Sequence, residues 1–300
     1  MQRFFGAHTI DNGGIDMAVR RAGDAGMRAL QLFTAPPRFY GDKSGIKPDR
    51  VARFRAALAE TDIEPRNVVV HGAYVLGVAT PDPDKWVRAS GGLTKELERS
   101  MLLGVGAVCF HPGSAAGSDV QGAIERVAKA ITVALRKVPG DTAILVENTA
   151  GAGRTVGRTA AEVGGILALV PEDLRSRTGY GLDTCHLFAS GYDIHASEER
   201  LGAILDEFER ETGEPPRFFH LNDSEGEFAS NRDRHTLLGK GHIGSEPFRW
   251  LVRDKRSAGI PLILETPQSN PEIDPADSSA DPWDREMIAL LEGMVTEKRP

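Results

Sequence analysis

Ala107-Val108-Cys109-Phe110-His111 and Ala143-Ile144-Leu145-Val146-Glu147 are two short apolar runs, each closed by a side chain able to bind a metal ion. Between them, residues 120–138 repeat apolar positions at helical spacing, with Arg and Glu outside the stripe. Runs that are apolar on both faces suit strands of a parallel sheet covered by helices. Outward from this unit, similar runs occur at residues 3–8, 29–34, 67–74, 179–186, 217–223 and 260–266, and the second of the quoted runs extends over 142–149. Residues 14–26 and 48–62 read as further amphipathic helices. In the first of these, Ile15, Ala18, Val19 and Ala22 form the apolar stripe, and Asp16, Arg20, Arg21 and Asp24 lie off it. Gly26, Gly104 and Pro139-Gly140 are plausible helix stops.

Eight strand-helix units in order predict a TIM (β/α)8 barrel, which needs about 250 residues. The chain has 300, and no linker divides it, so residues 1–300 are expected to form one domain. A doubly wound open sheet is the alternative, but no GxGxxG follows the first strand. Residues 222–244, after the seventh strand, are too long for an ordinary connection and read as a functional loop. Residues 268–283, rich in Pro, Ser and Asp, read as a loop before a last helix at 284–298.

Hydrophobic residues make up 40% of the chain and charged residues 26%, as in a soluble globular protein. No apolar stretch approaches the roughly 18 residues of a membrane span. The N-terminal residues lack the apolar segment of a signal peptide. Cys109 and Cys185 make no disulfide framework, so a cytoplasmic location is expected. The net charge of −7 alone speaks against a nucleic-acid partner. Three bound divalent cations would bring the total close to neutral and concentrate positive charge in one place.

Potential metal ligands fall at equivalent positions. His71, His111, His186 and His220 each end an apolar run, as do Glu147 and Glu265, and Asp183 lies just before His186. In a TIM barrel the C-terminal strand ends form the active face, so these side chains would converge there. A lone strand-end His is more often a hydrogen-bonded structural residue, and a lone Glu can pair with Arg. Seven such groups from six strands favour a metal centre, because buried carboxylates need compensating charge. Asp233 and His235 in the long loop, two residues apart, would point the same way in extended backbone. Cys185, between two ligands, is expected by alternation to face the core. Nine imidazole and carboxylate ligands, with one bridging acid, suit three Zn²⁺ or Mn²⁺ ions with an open position.

Clustered divalent ions are the usual apparatus of phosphodiester hydrolysis. No Ser-His-Asp arrangement, nucleophile elbow or P-loop offers another mechanism. A TIM-barrel sugar isomerase or epimerase is the serious rival, since it too uses acidic and His ligands, and fold alone does not separate the two.

A set of motifs carries a family resemblance from Gly6 to about Pro267. They are Gly6-Ala7-His8 with Gly13-Gly14, Leu32-Phe33-Thr34, His71-Gly72-Ala73-Tyr74, Phe110-His111-Pro112-Gly113-Ser114 and Glu147-Asn148-Thr149-Ala150-Gly151. Further along come Asp183-Thr184-Cys185-His186, Gly191-Tyr192-Asp193, His220-Leu221-Asn222-Asp223, Asp233-Arg234-His235 and Leu264-Glu265-Thr266. In this ordered set the chain resembles the endonuclease IV family. The resemblance implies one ion held by His71, His111 and Glu147, a second by Glu147, Asp183, His220 and Glu265, and a third by His186, Asp233 and His235. It implies a monomer that cuts double-stranded DNA 5′ to abasic sites, leaves a 3′-hydroxyl and clears blocked 3′ ends. Glu147 and Glu265 would position the nucleophile.

It also implies that Arg38, Tyr74 and Val75 wedge into the DNA and that Arg234 contacts a phosphate. The plain alternatives are loop packing for Tyr74 and Val75 and a solvated charge for Arg38. Where the family carries a lysine after His-Leu-Asn-Asp, this chain reads Ser224-Glu225-Gly226-Glu227, acids that should repel phosphate. Lys240 and His242 also depart from the family pattern, and Lys240 restores some positive charge.

Overall fold

Each apolar run becomes a strand because its β-branched and aromatic residues can be buried on both faces. The computed structural model describes residues 2–36, 45–117 and 119–297. The barrel strands are β1 (Phe4–His8), β2 (Ala29–Leu32), β3 (Val68–His71), β4 (Ala107–Phe110), β5 (Ala143–Glu147), β6 (Thr178–Asp183), β7 (Phe219–His220) and β10 (Pro261–Leu264). They pair in parallel in the closed order β1-β10-β7-β6-β5-β4-β3-β2, which is a TIM (β/α)8 barrel. The helices are α1 (Ile15–Asp24), α2 (Pro48–Ala59), α3 (Pro83–Leu103), α4 (Val120–Lys137), α5 (Ala160–Ala168), α6 (Thr184–Ser190), α7 (Glu198–Thr212), α8 (Ser245–Arg253) and α9 (Pro282–Thr296). Among the described residues, no helix is long and apolar enough to cross a membrane.

Period-two alternation divides each strand between two cores. Val68, Val70, Val108, Phe110, Ile144, Val146, Phe219, Leu262 and Leu264 pack outward in the cluster that includes the helices. Phe4, Ala29, Val69, Cys109, Leu145, Phe218 and Ile263 form a separate cluster that fills the barrel interior. Two residues beyond its interior position, each of these strands presents a polar group at its C-terminal end, except that in β1 the group, His8, lies four beyond Phe4. β6 fits the same frame through Gly181, where a Cβ would lie 2.0 Å from the Phe218 ring. The missing side chain makes room for Phe218, and Asp183 follows two residues later. The register sets Asp183 level with His220, while Glu147 lies opposite Gly181, two residues before Asp183.

Two expectations need correction. The sixth run does not stay extended to His186: β6 stops at Asp183, whose side chain caps α6 by accepting from the His186 N–H at 2.8 Å. Cys185 is buried from the first turn of that helix rather than by strand alternation, and its sulfur reaches the Arg234 carbonyl at 3.7 Å. Arg21, which lies off the apolar stripe of α1, is nevertheless only 1% exposed. Its guanidinium donates to the carbonyls of Ile10, Asn12, Asp274 and Asp277, which ties the proline-rich tail segment to the first loop.

The long stretch after β7 contains structure of its own. β8 (Asp223–Ser224) and β9 (His235–Thr236) form an antiparallel hairpin. Its anchor is the fully buried Asp223 carboxylate, which accepts from the backbone N–H groups of Ser224, Gly239, Gly241 and Ile243 at 2.8–3.0 Å. Gly241 has to lack a side chain here, since a Cβ would lie 2.4 Å from the Ser224 carbonyl oxygen.

Candidate metal centre at the barrel mouth

All nine expected ligands meet at the C-terminal mouth. Glu147 is central: its Oε2 lies 3.3 Å from His71 Nε2 and 3.2 Å from His111 Nε2, and its Oε1 lies 2.9 Å from His220 Nδ1. His220 Nδ1 is also 3.3 Å from Glu265. The hairpin delivers the remaining pair, with Asp233 at 3.2 Å from His186 Nε2 and 3.0 Å from His235 Nε2. Three groups have donor atoms close enough together to hold an ion: His71, His111 and Glu147; Glu147, Asp183, His220 and Glu265; and Asp183, His186 and His235. Two thiols also come within reach, Cys109 beside Glu147 and His220, and Cys185 beside Asp233 and His235. Burial, with the charges of Glu147 and Glu265, pushes the Cys109 thiol well above its ordinary range, so it stays protonated.

The residues fit divalent ions. The buried atoms His111 Nε2, Glu147 Oε2 and His235 Nε2 have no hydrogen-bond partner, an expensive state unless something else occupies their lone pairs. The other ring nitrogens are tethered: His71 Nδ1 donates to the Gly72 carbonyl at 2.7 Å, and His186 Nδ1 to the Asn148 carbonyl at 2.9 Å. Such tethers fix the tautomer and aim the free nitrogen inward.

The imidazoles and carboxylates of the site shift one another's protonation. Burial pulls the His220 imidazole down, but Glu265 and Glu147 outweigh it and raise the group to about 9. The same contest, with Asp183 and Asp233 prevailing over burial, holds His186 well above its ordinary value. Burial pushes Glu147 up, yet the charges of His220 and His111 hold it well below the usual carboxylate range. Glu265 falls to about 2, with His220 overcoming burial.

Four site residues carried no expected role in the ligand set. Gln31, fully buried on β2, accepts from His220 Nε2 at 2.7 Å and donates to Glu265 at 2.5 Å and to His8 Nδ1 at 3.1 Å. Burial lowers His8 to about 4, so it is neutral. Asn222 donates to Asp183 at 2.5 Å and to Glu265 at 3.2 Å, and Asn148 accepts from the Asp183 N–H at 2.6 Å. Position two residues beyond the interior Ala29 was the signal for Gln31, and position four beyond the interior Phe4 that for His8.

The centre opens into a cavity of about 600 Å³ lined by His8, Phe33, Tyr74, Arg234 and Glu265 among others. A larger cavity, about 690 Å³, lies at the opposite barrel end near Leu58, Pro65 and Leu103, and among the described residues it gathers no potential ligand set. Tyr74 is 56% exposed, its ring edge-on to Phe33 at 5.4 Å and His71 at 5.3 Å, and Val75 is half-buried beside it. Arg234 is exposed and donates to the Asp233 carbonyl at 2.5 Å. Arg38 lies outside the described residues.

The fold and this site define a xylose isomerase-like TIM barrel, and the family model of that description matches residues 19–290. "Probable endonuclease 4" of Chloroflexus aggregans is 36% identical over 293 residues, covering 97% of each chain. The crystal structure of endonuclease IV from Thermus thermophilus has a TM-score of 0.81 at 30% identity, covering 99% of this chain and 100% of that one. The chain belongs to the endonuclease IV family. A D-tagatose 3-epimerase-like protein shares the fold alone, with a TM-score of 0.68 at 13% identity over 97% of this chain and 98% of its own.

Proposed function

We propose that this chain is a divalent-metal-dependent DNA-repair endonuclease that hydrolyses the phosphodiester 5′ to abasic sites and also clears blocked 3′ ends. The observation that carries the reading is the meeting of five imidazoles and four carboxylates at one barrel mouth, in a chain related over 97% of its length to a protein named "Probable endonuclease 4". His71, His111 and Glu147 would hold one ion, Glu147, Asp183, His220 and Glu265 a second, and His186, Asp233 and His235 a third. The imidazole and carboxylate donors suit Zn²⁺, with Mn²⁺ an alternative.

Bound divalent ions would lower the pKa of water and neutralise phosphate charge. The chain's own groups do the positioning. Glu147 and Glu265, ionised at neutral pH, accept hydrogen bonds from the attacking water and turn its oxygen toward phosphorus. Gln31 and Asn222 hold the Glu265 oxygens in place from below. As the new P–O bond forms, the P–O3′ bond breaks, leaving a 3′-hydroxyl and a 5′-phosphate. Tyr74, Val75 and Arg38 would wedge into the duplex as the abasic nucleotide turns out. Arg234 would meet a phosphate. The reading also takes residues 1–300 as one domain, residues 222–244 as its functional loop, and the protein as a cytoplasmic monomer.

A duplex carrying an abasic analogue, incubated with metal-reconstituted protein, should give one cut on the 5′ side ending in a 3′-hydroxyl. Elemental analysis should return three ions per chain. Intact DNA alongside turnover of free ketoses would replace this reading with the epimerase one.

A further inference from the structure

Two guanidinium groups outside the metal centre lie on the same barrel face. Arg154 and Arg158, in the connection from β5 to α5, line a cavity of about 280 Å³ together with Val120, Gly151 and Glu162. Both are exposed, and among the described residues neither side chain has a hydrogen-bond or ion-pair partner. The acid in that cavity is already committed. Glu162 Oε2 accepts from the backbone N–H groups of Gly157 at 2.8 Å and Arg158 at 2.9 Å.

Arg154 is held in a left-handed backbone conformation, φ 63°, which a residue with a Cβ adopts at a cost. The turn is pinned there. Ser114 Oγ donates to the Gly153 carbonyl at 2.5 Å, the Ala115 N–H donates to the Arg154 carbonyl at 3.1 Å, and Ser114 bridges to Thr155. A strained turn that projects a cation with no internal partner points to an external one. Arg158 also abuts the connection between β8 and β9: a Cβ on Gly151 would lie 2.6 Å from Arg158 Cδ and 2.7 Å from Asn231 Oδ1. The two arginines therefore continue the rim on which Arg232 and Arg234 stand.

We infer that Arg154 and Arg158 form an accessory phosphate subsite that grips the nucleic-acid backbone beside the metal centre. The inference rests on the proposed DNA substrate. A chain of net charge −7, with Glu225 and Glu227 exposed on the hairpin connection, needs cations on the rim to receive a polyanion. Guanidinium suits the task, because its planar fork meets phosphate oxygens in pairs.

The test measures binding of the metal-loaded protein to a duplex bearing an abasic analogue with a non-hydrolysable linkage, across a salt series. An R154G/R158A double variant should flatten the slope of log K against log salt by about 2, at roughly 0.9 per phosphate contact. With cleavable substrate its KM should rise by about tenfold or more while kcat stays within about twofold, as for loss of binding shared by ground and transition states. Metal content and Tm should hold, since glycine takes the φ 63° turn more readily than arginine. R154K/R158K should restore most of the slope. Unchanged slope and KM in the double variant, with normal cutting by the parent protein, would overturn the subsite alone. A parent protein that neither binds nor cuts abasic DNA would overturn the proposed function and the subsite with it.

Discussion

His71, His186, His220 and His235 are each tethered through one ring nitrogen to an amide oxygen: those of Gly72, Asn148, the Gln31 side chain and Glu265 respectively. The free nitrogen of each then faces a carboxylate, and without a cation that nitrogen keeps a proton. Binding an ion must expel those protons, so metal affinity is linked to pH. Affinity should keep climbing with pH until His220 loses its proton near 9, beyond the roughly 6.5 of free imidazole. A titration of zinc retention against pH checks this, and a plateau complete by pH 7 would contradict it. Glu147→Ala removes an acid shared between ligand groups, as Asp183 also is. Strand cutting should fall by more than about 10³-fold, and elemental analysis should find at least one ion missing.

Among the secondary elements, the hairpin of β8 and β9 depends least on apolar packing and most on one carboxylate. Asp223→Ala strands four backbone N–H groups and should cost roughly 3 kcal/mol in chemical denaturation. It should also lower metal occupancy at the proposed site of Asp233 and His235 before that at the proposed site of His71 and His111. At the start of α9, Asp284 is 3% exposed; burial, with the neighbouring Asp281 charge, raises it to about 7. The folded state therefore binds this proton more tightly than the unfolded chain, so the associated stability is full below about pH 4 and is lost as pH rises through 7. Asp284→Asn should remove that loss, raising stability at pH 8 by roughly 2–4 kcal/mol with little change at pH 4. Equal melting-temperature gains at both pH values would refute the assignment.

The barrel strands and seven strand-end ligands were legible because alternation and burial write themselves into apolar runs. His8 and Gln31 escaped the ligand reading because their roles come from neighbours on adjacent strands, which a single run does not display. Asp183 was read as part of a longer strand, although an Asp followed by Thr-Cys-His is also a helix cap. The hairpin was invisible to periodicity, since two-residue strands carry no pattern. Arg21 shows the opposite failure: a charged residue off the apolar stripe is buried because two loops offer it carbonyls.

Across the whole molecule, the candidate metal centre joins all eight barrel strands through one inward group apiece: His8, Gln31, His71, His111, Glu147, Asp183, His220 and Glu265. Ions bound only to the folded state must then stabilise the entire barrel. Chelation should lower Tm by about 5 °C or more, given roughly 2–4 °C per kcal/mol at this size. A Tm indifferent to chelator would show that the centre is not coupled to the fold.

The pairing of β1 with β10, Phe4 opposite Pro261, is what closes the ring. A chain emerging from the ribosome N-terminus first has already released most of the ligands before Glu265 is made. Until the last strand docks against the first, those groups have no common mouth to face. On the proposed function, a half-made chain would thus be a harmless one beside intact DNA: the cutting apparatus would be armed by the same event that completes its shell.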